Sequence, residues 1–171
     1  MPQTRWLAGV WPERLTVALL ALALSGCATE RRPRPPEPGV SRVYAMSQDA
    51  LIARLREVLA GYQIEPGTYD PATGRLRAGR RDLGQTGWAM CQPLRVRDPD
   101  GVRLREAEPL RLDLDLGVQV EGVDGGSRVT LRPVFVETNL DSFTNLEVTH
   151  RCRSTGTLER DLLGALGAEG A

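Results

Sequence analysis

Residues 111–121, RLDLDLGVQVE, alternate strictly between polar and apolar side chains, with Leu112, Leu114, Leu116, Val118 and Val120 on one side. Successive side chains of a strand point to opposite faces, so this period of two predicts a β-strand with one packed face and one wet face. Such a strand belongs in an antiparallel sheet, because parallel sheets are buried on both faces. The partner follows directly: a turn over GVDGGS, residues 122–127, and then RVTLRPVFVE. With Glu121 opposite Arg128, Val120 meets Val129 and Val118 meets Leu131. Apolar then faces apolar and acid faces base, as cross-strand pairing favours. Pro133 has no N–H to offer a ladder and is expected at a bulge or an edge.

The flanking segments fit around this hairpin. VSRVYAM, from Val40, reads as a short strand. Ser47 is a good N-cap with Asp49 in the first turn, and Leu51, Leu55, Val58, Leu59 and Tyr62 form one apolar helical face that Gly61 can terminate. YQIEPGTYDPATGRLRAG reads as strand, loop, a turn over residues 70–74, and strand. A hairpin turning over residues 98–101 can place Arg95, Arg97, Arg103 and Arg105 on one solvent face, with Asp113 and Asp115 beside Arg105 and Arg103. NLEVTHRC is the last strand; Ser154 to Thr157 offer caps to a helix with a Leu158, Leu162, Leu163, Leu166 stripe. One greasy face on each helix and one on the sheet predict an α+β fold: an antiparallel sheet with two helices packed on one face, a helix-grip-like two-layer sandwich.

Ahead of that domain stands LTVALLALALSGC. The apolar run is about half of the roughly 20 residues that span a bilayer. It follows a basic region containing Arg5 and Arg14, which fits an export signal. Leu24, Ser25, Gly26 and Cys27 look like the lipobox of bacterial lipoprotein precursors. That resemblance implies cleavage before Cys27, a diacylglycerol on its thiol and a further acyl chain, such as palmitate, on the new N-terminus; the alternative is an ordinary cysteine after an ordinary signal peptide. Residues 28–39, ATERRPRPPEPG, hold four prolines between Pro33 and Pro38 and almost nothing apolar, so they read as an extended tether reaching up to roughly 35 Å. The expected division is a lipoprotein signal peptide over 1–26, lipidated Cys27 and tether over 27–39, and a periplasmic domain over 40–171. Ala28, where an inner-membrane lipoprotein tends to carry Asp, implies the outer membrane, facing the periplasm.

Two further cysteines, Cys91 and Cys152, are expected to form a disulfide in an oxidising compartment. Two buried free thiols and a metal site are the alternatives; the latter lacks ligands by spacing, since His150 is the sole histidine and no Cys-x-x-Cys occurs. No metal and no cofactor is expected. The formal net charge is zero, so no general attraction to nucleic acid is expected. All 22 basic residues are arginine, whose planar fork suits carboxylates and phosphates.

The segments YAMSQDAL and YDPATGRLRA, behind a proline-rich tether, resemble small proteobacterial lipoproteins with helix-grip-type domains. Domains of that general kind occur in one of the lipoproteins of the outer-membrane β-barrel assembly machine. WAMC and CRSTGTLERDLL resemble segments of uncharacterised lipoproteins. The resemblance implies location and architecture and no catalytic residues. The residues themselves agree. A Ser-His-Asp site would need His150, set in a strand without a Gly-x-Ser-x-Gly elbow. Asp113 and Asp115 are too few and too stiffly spaced for calcium. Asp124-Gly125-Gly126 is a turn rather than a phosphate loop, since no lysine completes it. The expectation is a non-enzymatic accessory, held to the membrane by lipid, with an envelope protein as partner. The alternative is a module that holds a lipid or small hydrophobe between helices and sheet. The surface feature to follow is the stripe Arg95, Arg97, Arg103 and Arg105, either a solvated face or a docking patch.

Overall fold

The computed structural model describes residues 39–168. The expected signal peptide, the lipobox residues Leu24, Ser25 and Gly26, Cys27 and the tether up to residue 38 lie outside the described residues. The chain runs β1 (Val40–Tyr44), α1 (Gln48–Gly61), β2 (Glu65–Asp70), β3 (Arg75–Arg80), β4 (Ala89–Met90), β5 (Arg95–Arg97), β6 (Leu104–Glu106), β7 (Glu108–Val123), β8 (Gly126–Leu140), β9 (Glu147–Ser154) and α2 (Thr157–Gly167). The main sheet is antiparallel in the order β2-β3-β7-β8-β9-β4, and β1 also pairs with β8. β5 and β6 form a separate ribbon. This is an α+β fold of two layers, sheet and helices.

The β7–β8 hairpin takes the register its side chains dictate: Glu121 opposite Arg128, Val120 opposite Val129 and Val118 opposite Leu131. Arg128 and Glu121 approach to 3.9 Å at the surface. A two-residue turn makes Val123 and Gly126 a hydrogen-bonded pair, so by alternation Leu116 and Pro133 form a non-bonded one. Pro133 thus points its nitrogen away from β7. On that flank the β1 ladder ends at Leu131 and the β9 ladder begins at Phe135, so the proline sits at a local edge where no donor is needed.

Leu114, Leu116, Val118 and Val120 of β7 and Val129, Leu131 and Phe135 of β8 share the inner face. Leu51, Ile52, Leu55, Val58 and Leu59 of α1 and Leu158, Leu162, Leu163 and Leu166 of α2 join them in one buried cluster. Both helices therefore cover the same side of the sheet, and aliphatic side chains fill the space between. The Tyr44 hydroxyl donates to the Leu163 carbonyl at 2.6 Å, tying β1 to α2, and burial raises its pKa.

Local chemistry explains the element ends. Ser47 Oγ accepts from the Ala50 N–H at 3.3 Å and caps α1. The helix does not end at a left-handed Gly61, which is still helical; Gln63 takes the positive φ of 56° instead. That strain, about 1–2 kcal/mol for a residue with a Cβ, is offset by the burial of Ile64 immediately after. At α2 the hydroxyls expected to cap do other work. Gly156 is the N-cap, with φ 78°, while Ser154 Oγ accepts from the Gly156 N–H at 3.0 Å and donates to Glu159 at 2.8 Å. Thr155 Oγ donates to the Gly87 and Trp88 carbonyls at 2.9 and 3.0 Å, fastening the helix start to the segment before β4.

Candidate functional site

Cys91 and Cys152 lie at bonding distance, with sulfurs 2.01 Å apart and Cα atoms 4.5 Å apart. Cys152 lies on the inner face of β9 opposite Phe135, and Cys91 follows the edge strand β4. Two residues along β9 on the same face is His150, opposite Glu137 of β8. Their side chains are 20% and 16% exposed, and His150 Nε2 sits 3.5 Å from Glu137 Oε2. Asn139 Nδ2 lies 3.3 Å from His150 Nδ1 and donates to Glu137 Oε2 at 3.3 Å. The Asn139 amide nitrogen serves the carboxylate, and in the tautomer in which it also donates to Nδ1 the ring proton sits on Nε2, toward Glu137. A Glu137 carboxylate oxygen and both cysteine sulfurs all lie within 4.8 Å of one another. Spacing along the chain hides this group, because its members come from three strands. The signal that marks it is the polar pair Glu137 and Asn139 on an otherwise apolar strand face.

The four-arginine stripe does not form. β5 pairs with β6 as Arg95 to Glu106, Val96 to Arg105 and Arg97 to Leu104. Arg95 and Arg97 therefore lie on one face of the ribbon, and Arg105, with Arg103 two residues before it, lies on the other. The cause is a one-residue slip: Asp98 pairs with Arg103 across the loop, its N–H donating to the Arg103 carbonyl at 3.1 Å and its carboxylate accepting from the Val102 N–H at 2.7 Å. A slip of one exchanges the faces of every side chain in a strand. Nor do Asp113 and Asp115 meet these arginines, because the ribbon does not pair with β7. Asp113 instead accepts from Arg111 Nε at 3.2 Å and from the Asp82 N–H at 3.1 Å. Arg105 stacks over Phe143, 5.2 Å from its centroid. The Phe143 loop is shaped by Asp141, whose carboxylate accepts from the Phe143 N–H at 2.9 Å and the Thr144 hydroxyl at 2.8 Å; these bonds, led by the Phe143 N–H, hold its pKa below the ordinary value.

A different arginine group lies on the outer face of the main sheet, opposite the helices. Register places Arg77 and Arg132 either side of Gly117, Arg151 opposite Val136, and Arg153 two residues along β9 from it. All four are exposed, and among the described residues no acid lies within ion-pair distance of any of them. The partly buried Val134 and Val136 lie between them on the same face. Alongside is an open groove of about 960 Å³ whose charged lining is mixed, Arg77, Arg80 and Arg81 with Glu65, Asp82, Asp113 and Asp115. Gly67 and Gly79 thin its floor; a Cβ at Gly67 would stand 2.8 Å from the Arg77 carbonyl oxygen. The outer face is therefore charged along its width: Arg132, Arg151 and Arg153 make it cationic on β8 and β9, and toward β2, β3 and β7 arginines and acids are mixed.

Comparisons with protein-family models, with curated proteins and with solved structures matched nothing to this chain.

Proposed function

We propose that this chain is a lipid-anchored lipoprotein of the outer membrane whose helix-grip-like periplasmic domain docks, without catalysis, onto a protein partner in the envelope. The anchor rests on the lipobox-like Leu24, Ser25, Gly26 and Cys27 and the proline-rich tether behind them. The paired Cys91 and Cys152 suit an oxidising compartment. The observation that carries the docking reading is the open, charged outer sheet face, with Arg77, Arg132, Arg151 and Arg153 unpaired around Val134 and Val136 and acids in the groove alongside. A uniformly anionic lipid surface would be repelled by Asp113, Asp115 and Glu65 on the same face. A protein surface can answer both signs of charge, with acids over the arginines and bases over the acids, and charge pairing of that kind favours one partner and one orientation.

The test is a photo-cross-linking amino acid placed at Thr130 on the outer face and, separately, at the exposed Glu57 of α1, in cells that hold the protein in its native membrane. The Thr130 probe is expected to yield a discrete protein adduct that disappears with R132E/R153E, while the Glu57 probe yields none. Adducts that ignore the charge reversal, or purified protein that binds anionic vesicles but no protein, would overturn the reading.

A further inference from the structure

The inner face of the sheet is largely apolar, and β8 and β9 carry the polar Glu137, Asn139 and His150 on it near the disulfide. This arrangement is poor as a stability device. The Glu137 carboxylate, served by the Asn139 amide, also lies within 4.8 Å of two sulfurs that have no proton to donate to it, and buried His150 Nε2, 3.5 Å from Glu137 Oε2, makes no hydrogen bond. Half-buried polar groups left this way cost stability. The two sulfurs and a Glu137 carboxylate oxygen, all within 4.8 Å of one another, are a donor set for a borderline-soft cation, and the His150 ring stands behind them, 3.5 Å from the carboxylate.

We propose that reduction of the Cys91–Cys152 disulfide turns this cluster into a binding site for one zinc-type divalent cation, with Cys91, Cys152 and Glu137 as ligands and His150 as a fourth, whose ring must swing in. A dithiol reductant supplies two electrons and two protons: the S–S bond breaks, two thiols form, and the reductant leaves as its own disulfide. Metal binding then forms two metal–sulfur bonds and releases the two thiol protons. Glu137 binds as the carboxylate. His150 binds through Nε2, with its ring proton moved to Nδ1 and the Asn139 amide turned so that its oxygen accepts that proton, the usual arrangement behind a metal-bound imidazole.

Three of the ligand atoms already lie within 4.8 Å of one another, and the His150 ring must turn from Glu137 toward the sulfurs. Once the S–S bond is broken, the sulfurs are free to move apart to the spacing that two tetrahedral metal–sulfur bonds require. Cys91 can supply that movement, since it lies just past the two-residue edge strand β4, at the start of a stretch of irregular chain that runs to β5. The backbones of His150, Glu137 and Cys152 stay fixed on paired strands. The disulfide and the metal then exclude one another, and the redox state of the pair decides which is present.

The experiment is a cobalt(II) titration of the full chain in detergent, oxidised and after reduction with a phosphine, followed by displacement with zinc in the presence of a chromophoric chelator. The reduced protein is expected to bind one cobalt with a thiolate charge-transfer band and visible bands of tetrahedral cobalt, and the oxidised protein none. C152S is expected to lose the charge-transfer intensity contributed by its sulfur, and E137Q and H150A each to weaken binding at least tenfold. Equal binding by the oxidised protein, or affinity unchanged in E137Q/H150A, would overturn the proposal. Circular dichroism covers the case in which reduction loosens the fold: zinc is then expected to restore the spectrum, and failure to restore it, like failure of a folded reduced protein to bind, counts against the site.

Discussion

At the scale of single residues, short-range chemistry was readable and its exceptions are instructive. The 70–74 turn forms as its residues suggest: Asp70 accepts from the Ala72 N–H at 3.0 Å and the Thr73 hydroxyl at 2.6 Å, and Gly74 takes φ 66°, where a Cβ would run into the Val120 carbonyl oxygen. Gln63 could not be foreseen, because its strained backbone answers to the burial of Ile64 rather than to its own side chain. Asp141 yields a prediction. Its folded pKa lies below the ordinary 3.8, so its contribution is fully present above about pH 5 and lost as pH falls through the folded value. The stability gap between the wild type and D141N is therefore expected to be widest near neutrality and to close as the pH falls through the lowered pKa of Asp141. Urea melts at several pH values measure it; a gap constant with pH would contradict the assignment.

Elements were legible where periodicity was strong. The β7–β8 hairpin, both helices and the β2–β3 turn follow from alternation, helical spacing and turn residues lying within a dozen positions of one another. The β5–β6 ribbon shows the limit: its strands are three residues each, too short for a pattern to select register, so the loop hydrogen bonds of Asp98 chose it. The helices are held by packing more than by propensity. Leu55 and Leu162 are fully buried in the shared cluster, so L55A or L162A is expected to cost about 2–5 kcal/mol, read as a lower denaturant midpoint. Exposed Leu104, on the ribbon, is expected to tolerate alanine within about 0.5 kcal/mol.

For the whole molecule, the disulfide ties the edge strand β4 to β9 and spans 61 residues, including the ribbon and the central hairpin. In the chain-entropy view such a loop contributes about 4 kcal/mol, so a C91S/C152S variant is expected to unfold at a visibly lower temperature while keeping its far-ultraviolet spectrum. On our reading of residues 24–27, C27S is expected to move the protein from the detergent fraction to the soluble one, since two or three acyl chains anchor firmly and none remain. Intact mass of the protein from native membranes checks this directly; a chain that begins elsewhere than an acylated Cys27 would refute the anchor.

Rules that act between near neighbours, period, cap, turn and adjacent pairing, depend on contiguous residues, so the strands, the helices and their greasy faces were present in the order of amino acids alone. Arg132 beside Arg153, or Glu137 between His150 and the two sulfurs, depends on which strands lie side by side and in what register. Those choices come from collective burial of the aliphatic face. Polar residues on different strands are carried into contact by that packing, and no local pattern records where they will meet.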